Sequence, residues 1–247
     1  MDEYERFIFD TQGCIILRDV LSSSEVDRLK KGLPHDNKGE IVREPDNELL
    51  SYEEPLFREL INHPRILPYL QALLADFHSP SDEPWHPFLD HEYFMYMRTG
   101  EVATTFHNGG TPFNPWYRYT VQEGRIYCGL LTMSWCLTDT QAGDGGFWYI
   151  PGSHQANFPM PPGMTDYSWI PECVVQPAVS AGSVVVFTEA LVHGTRTWKP
   201  AHDRYVLFYK YLPGYMGLGR NKLDRRTRLL TKEQQQYVAP SQGQHIT

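Results

Sequence analysis

The pattern of apolar and polar positions divides the chain near residue 90. Before it, apolar residues recur at helical spacing. Ser22-Ser23-Ser24-Glu25 reads as an N-cap with an acid in the first turn, and Val26, Leu29 and Leu33 continue the apolar face. Leu56, Leu60 and Ile61 and then, past Pro64, Ile66, Leu67, Leu70, Leu73 and Leu74 predict a second helical zone over 55–78. Ahead of both, F-I-F-D-T-Q-G-C-I-I-L puts Gly13 at a turn before a short apolar strand, so residues 4–33 read as strand, then helix. Residues 34–54 are polar and turn-rich. Residues 79–90, with Pro80, Pro84 and Pro87, read as a loop.

From about residue 91 the period shortens. H-E-Y-F-M-Y-M-R, Y-C-G-L-L-T-M-S-W-C-L, F-W-Y-I-P, C-V-V-Q-P, S-V-V-V-F and Y-V-L-F-Y-K-Y are short β-branched or aromatic runs separated by turn residues such as Ala142–Gly146, Pro151-Gly152-Ser153 and Ala181-Gly182. Many short strands with frequent turns predict an all-β barrel or jelly roll. The 102–124 segment, rich in Asn, Gly, Thr and Pro, lies between two of these strands, and loops of that length usually carry function. After about residue 215 the chain turns polar, with Arg220, Lys222, Arg225, Arg226 and Arg228, and predicts a surface helix and a frayed end.

Composition narrows the function classes. With 247 residues and 41% hydrophobic content, the chain can bury a substantial core. A formal charge of −8 argues against a nucleic-acid surface. No apolar run approaches the roughly 20 residues of a membrane span. The acidic start M-D-E-Y-E-R-F has no signal-like apolar core. Cys14, Cys128, Cys136 and Cys173 form no C-x-x-C pair and read as reduced thiols, which together with the missing signal predicts a cytoplasmic protein.

The densest chemistry lies in H-G-T-R-T-W-K-P-A-H-D-R. His193 follows the apolar run 183–187, and Arg204 opens the next run, 205–209. On neighbouring strands, the imidazole and the guanidinium would share one concave surface. Oxygenases that use iron(II) and 2-oxoglutarate need such a pair. The imidazole binds the metal, and the planar guanidinium grips the far carboxylate of the keto acid through two charge-assisted hydrogen bonds. A partner histidine is available at His107, in T-T-F-H-N-G-G, where the glycine-rich loop opens. The chain has 10 histidines, so a distant pair carries little by itself; the flanking strand, loop and arginine give it weight.

Over most of its length the chain resembles the phytanoyl-CoA dioxygenase-like family of iron(II)/2-oxoglutarate oxygenases. The likeness runs through F-D-T-Q-G, D-V-L-S-S-S-E-V-D-R-L and N-H-P-R-I-L-P-Y-L-Q-A-L-L. It continues in L-T-D-T-Q-A-G-D-G-G-F-W-Y-I-P-G-S-H, G-S-V-V-V-F and the H-G-T…D-R-Y pattern. The resemblance implies a mainly β, cupin-like double-stranded β-helix with flanking N- and C-terminal helices. It implies one oxygenase domain over 1–247: a helical flank at 1–90, a jelly-roll core at 91–215 and a tail at 216–247. It also implies His107 and His193 as iron ligands and Arg204 as the clamp on the C5 carboxylate of 2-oxoglutarate. Thr195 would donate a hydrogen bond to that carboxylate, and Trp135 would line the co-substrate site. The cofactors would be iron(II), 2-oxoglutarate and dioxygen, and the partner a small-molecule substrate rather than a nucleic acid or a membrane.

The departure is Gly109. The family pattern is His-x-Asp or His-x-Glu, and the chain has His107-Asn108-Gly109. Two readings follow. Chloride or bromide takes the open coordination position, as in non-haem iron halogenases that have Gly or Ala there. Alternatively, a water or a carboxylate from elsewhere, such as Asp144 or Glu101, completes the shell of a hydroxylase. A third reading is an inactive, ligand-binding relative; His107, His193, Arg204, Thr195 and Trp135 together speak against it. Asp144 in D-G-G and His154 after P-G-S read first as turn residues. The expectation is hydroxylation-type oxidation of an aliphatic C–H bond, with Gly109 deciding the outcome. Trp116, Tyr117, Arg118 and Tyr119 would form a lid, with Arg125 and Arg196 placed to meet a carboxylate or phosphate. Substrate identity and oligomeric state are not written in the sequence.

Overall fold

The computed structural model describes residues 1–42, 48–74, 86–109, 114–217 and 228–238. Among them, strand-forming residues after position 86 build most of one antiparallel sheet. Its order is β1 (Cys14–Leu17), β7 (Val184–Thr188), β5 (Leu131–Cys136), β9 (Arg204–Leu212) and β2 (Phe88–Met97). A second layer holds β6 (Gly146–Tyr149) paired with β8 (His193–Arg196), and β3 (Tyr119–Gln122) and β4 (Arg125–Cys128) form a separate hairpin. Isolated bridges widen the β6–β8 layer, joining His107 to His193 on one side and Tyr149 to Val175 on the other. Two facing antiparallel layers of this kind are the jelly roll expected of the chain.

Strand period decides which side chains meet. In β5, Thr132, Ser134 and Cys136 share a face with Val185 and Phe187 of β7 and with Val206, Phe208 and Lys210 of β9. That face looks into the roll. The alternate residues, Leu131, Met133 and Trp135, join Val184, Val186, Leu207, Tyr209 and Tyr211 in the large core under the helices. Those helices are α1 (Glu3–Gln12), α2 (Ser23–Gly32), α3 (Leu56–Glu59) and α4 (Leu67–Leu74); α5 (Pro162–Thr165) and α6 (Lys232–Val238) follow later in the chain. Two buried β9 tyrosines tether the helical layer, Tyr209 donating to the Phe57 carbonyl at 2.6 Å and Tyr211 to the Ile61 carbonyl at 2.7 Å.

Several elements differ from the sequence reading. The short strand after Gly13 is β1, but the residues before it, 3–12, for which the sequence pattern predicts no helix, are helical. Asp2 and Glu5 form a capping box, and Gly13 closes the helix in the left-handed conformation. The helical zone expected over 55–78 is described only to residue 74, and up to there it breaks into short pieces on either side of Pro64. C-V-V-Q-P supplies one bridge, at Val175, and no strand. β8 was not anticipated, because H-G-T-R has no apolar alternation. The 102–124 segment ends in a 3-10 turn over Pro115–Tyr117 and in β3, so it is not one continuous loop; residues 110–113 lie outside the described residues. So do Arg220, Lys222, Arg225 and Arg226 of the tail, within which α6 is the expected helix. Among the described residues, no helix is long and apolar enough to cross a membrane.

Candidate metal and keto-acid site

His107 and His193 are cross-strand neighbours. Their backbones exchange both hydrogen bonds, His107 N–H to the His193 carbonyl at 3.0 Å and the reverse at 3.3 Å. A directly paired couple of this kind points its side chains to one face, and the two rings lie 4.3 Å apart between centroids. Each Nδ1 is tied to a backbone carbonyl, that of Thr105 at 2.8 Å for His107 and that of Leu191 at 2.8 Å for His193. Those bonds fix the tautomer and leave both Nε2 atoms bare of protons, as metal ligation requires. Burial pushes the His193 imidazole down to about 4, against the pull of Glu189, so it is neutral at ordinary pH.

Glu189, four residues before His193, completes a cluster whose ligand atoms all lie within 4.8 Å of one another. Its Oε2 is 3.8 Å from His193 Nε2. Its Oε1 accepts from Lys210 Nζ at 2.7 Å and from Thr132 Oγ1 at 2.5 Å, and Oε2 accepts from Asn108 Nδ2 at 2.8 Å. Burial disfavours this carboxylate, but His193 and Lys210 outweigh it and hold the group well below its usual range. With His193 uncharged at neutral pH, the lasting counter-charge is the Lys210 ammonium. Sequence reasoning missed Glu189, although a signal existed. Glu189 and Lys210 are single opposite charges inside the otherwise apolar runs V-V-V-F-T-E-A-L-V and Y-V-L-F-Y-K-Y. A charge at such a position needs a partner or a metal.

Arg204 lies further along the same inner face, 4% exposed. Its Nη1 meets only two thioethers, Met95 Sδ at 3.6 Å and Met97 Sδ at 3.5 Å, and among the described residues no carboxylate pairs with it. A buried, unpaired guanidinium costs several kcal/mol in an apolar setting, so this arginine fits an anionic ligand that the fold itself does not provide. Gly146 leaves room beside it: a Cβ there would sit 2.8 Å from Arg204 Nε. Thr195 is buried on β8, its Oγ1 3.2 Å from Thr104 Oγ1. A cavity of about 520 Å³ runs along β2 and residues 101–103, and its lining includes the same Met95 and Met97. The donor set therefore fits the expected groups: two bare imidazole nitrogens with a carboxylate for a metal, and a free guanidinium for a dicarboxylate.

Other expected residues lie elsewhere. Trp135 is fully buried on the opposite face of β5, edge-on to His63 at 5.4 Å under the helices, and does not reach the interior of the roll. The correction follows from strand period: its neighbours Ser134 and Cys136 face inward, so Trp135 cannot. Aromatics that do lie on the inner side are Phe187 of β7 and Phe147 of β6, with ring centroids 4.6 Å and 6.1 Å from that of His193. Asp144 accepts from the Gln141 N–H at 2.7 Å in a turn, and Glu101 accepts from the Arg98 N–H at 2.7 Å; neither belongs to the cluster. His154 packs on α1 beside Asp10, outside the site. Of the expected lid, Arg118 bonds the Tyr215 hydroxyl and Tyr119 donates to Asp10. Arg196 lies over the Trp148 ring at 5.2 Å.

A jelly roll that gathers this donor set inside it defines an iron- and 2-oxoglutarate-dependent oxygenase. The profile of the phytanoyl-CoA dioxygenase (PhyH) family matches residues 9–206, and the chain belongs to that family. Among solved structures, it is similar to HygX from Streptomyces hygroscopicus with nickel and 2-oxoglutarate bound. The identity is 25% over 86% of this chain and 87% of that one, with a TM-score of 0.70. Two relatives share the fold at 18% identity. SnoN, a non-haem alpha-ketoglutarate-dependent epimerase from nogalamycin biosynthesis, aligns over 86% of this chain and 81% of its own with a TM-score of 0.60. SnoK, the carbocyclase of the same biosynthesis, aligns over 87% and 85% with a TM-score of 0.56. No curated protein sequence matches the chain.

Proposed function

We propose that this protein carries out hydroxylation-type oxidation of an aliphatic C–H bond in a small organic molecule, with His107 and His193 holding iron(II) and Arg204 and Thr195 holding the far carboxylate of 2-oxoglutarate. Iron and the keto acid supply the oxidising chemistry when bound, consuming dioxygen and releasing succinate and carbon dioxide. The chain's own residues orient and exclude. The Nδ1 contacts of the two histidines leave their Nε2 atoms for the metal, in a cluster whose ligand atoms lie within 4.8 Å of one another. Arg204 and the space beside Gly146 fix one end of a dicarboxylate. Phe147 and Phe187 pack around His193 and exclude water. The observation that carries the reading is the buried Arg204, which pairs with no carboxylate among the described residues.

The cavity along β2 is the proposed substrate space, and its size suits a small molecule. HygX has also been solved with hygromycin B bound, which is consistent with a small-molecule substrate here. Halogenation is the second reading, favoured by Gly109 alone. The Glu189 carboxylate already beside the imidazoles weighs against it, because an added halide would meet a like charge. Oxygen-dependent succinate formation across a chloride series tests the choice. Turnover independent of chloride supports hydroxylation, chloride-dependent turnover with a chlorinated product supports a halogenase, and no succinate under any condition supports an inactive relative.

A further inference from the structure

We propose that Glu189 supplies the carboxylate that the His107 motif lacks, so that the metal is held by His107, His193 and Glu189. The proposal rests on the reading above that the two histidines hold iron. Its first support is orientation. Lys210 and Thr132 pin Oε1, which turns Oε2 toward the imidazoles, 3.8 Å from His193 Nε2. Ligating carboxylates are themselves commonly held by hydrogen bonds; here Lys210 and Thr132 hold Oε1, and Asn108 reaches Oε2 at 2.8 Å. Ligand–metal bonds of about 2.0–2.2 Å let one ion touch atoms spaced as these are after small side-chain movements. An ion pair made only to neutralise Lys210 would not need two imidazoles with ligand atoms within 4.8 Å of its carboxylate.

The second support is backbone. Gly109 has φ +119°, a conformation that L side chains rarely adopt, and a Cβ there would meet Val192 Cγ2 at 3.2 Å. An acid at position 109 would require this loop to be rebuilt. Asn108, at φ +65°, instead turns its amide onto Glu189 Oε2. The missing acid and the unexpected one are thus a single change: the carboxylate has moved from two residues after one histidine to four residues before the other. The cluster keeps a carboxylate beside the two imidazoles, and no exogenous halide is needed to supply the negative charge.

Metal affinity without turnover tests this. Metal-stripped protein is titrated anaerobically with cobalt(II), without keto acid, following the visible spectrum and competition with a chromophoric chelator. Glu189→Gln, folded by circular dichroism, is expected to bind cobalt at least tenfold more weakly and with an altered spectrum. Glu189→Gln/Lys210→Met is expected to stay as weak. Wild-type affinity and spectrum in Glu189→Gln would overturn the proposal. So would recovery of wild-type affinity in the double variant, because Glu189 would then serve only to neutralise Lys210. If Glu189→Gln does not fold, Glu189→Asp carries the test: it keeps the charge but is one methylene shorter, and unchanged affinity there overturns the proposal. His193→Ala separates the two levels. Loss of cobalt in His193→Ala with retention in the Glu189 variants removes Glu189 alone, whereas retention in His193→Ala removes the underlying iron site as well.

Discussion

A guanidinium buried against two methionine sulfurs is an incomplete contact, and it makes Arg204 the sharpest residue-scale test. A lysine in its place offers one point charge instead of a planar fork. Arg204→Lys is expected to weaken 2-oxoglutarate binding by about 2–3 kcal/mol, read by calorimetric titration of the keto acid into metal-loaded protein. Metal affinity in the absence of keto acid should hardly change; equal loss of both would make Arg204 a folding residue. Gly109 gives the complementary case. Because its backbone sits in the left-handed region, Gly109→Asp should cost about 1–3 kcal/mol of stability by denaturant unfolding. It should not tighten metal binding; a gain in affinity would show that the loop accepts the family acid after all. His107, His193 and Arg204 were legible as candidates because each sits beside an unmistakable strand or glycine loop. Glu189 carried only the weaker signal of a lone charge in an apolar run, because the groups that orient it, Thr132, Lys210 and Asn108, are far from it in sequence.

Among the elements, β5 shows where pattern stops being readable. Every residue of Leu131–Cys136 is buried, so no polar alternation says which face looks inward. Trp135 was assigned to the co-substrate by resemblance, and the register with Val184 and Leu207 turns it toward the helices. Trp135→Leu should therefore destabilise the fold by on the order of 2 kcal/mol while leaving 2-oxoglutarate affinity unchanged. A selective loss of keto-acid binding, with normal unfolding, would restore the inward placement. The α2 start was legible for a local reason: Ser22 and Glu25 satisfy each other's backbone donors, a contact contained within four residues. β8 was not, since H-G-T-R is a strand only because β6 and the His107 segment lie on either side of it.

At the scale of the whole molecule, α1 is clamped to the β6–β8 layer through His154, whose Nε2 bonds the Asp10 carbonyl at 3.0 Å with the Tyr119 ring edge-on at 4.5 Å. Burial pushes this imidazole down to about 4 against the pull of Asp10. The unfolded chain therefore takes up a proton before the folded one does. The stability held by neutral His154 is complete above its ordinary value near 6.5 and is lost as pH falls from there toward 4. Denaturant unfolding at pH 7 and pH 5 should show a loss of about 2 kcal/mol from this group, and His154→Gln, which keeps a donor for Asp10, should reduce the fall by about that amount. An identical fall in the variant would remove His154 as the cause.

The overall architecture was the most readable level, because short aromatic and β-branched runs between turn residues leave few folds open. What joins the roll to its chemistry is one inner face carrying His107, Glu189 and His193 and, further along, Arg204, which has no paired carboxylate among the described residues. Anaerobic titration of the protein with iron(II) and 2-oxoglutarate together tests that most directly. The account predicts a weak visible charge-transfer band that needs both additions, disappears in His107→Ala and His193→Ala, and requires more keto acid in Arg204→Lys. A band that survives in both histidine variants, or no band in the folded wild-type protein at saturating iron and keto acid, would contradict it.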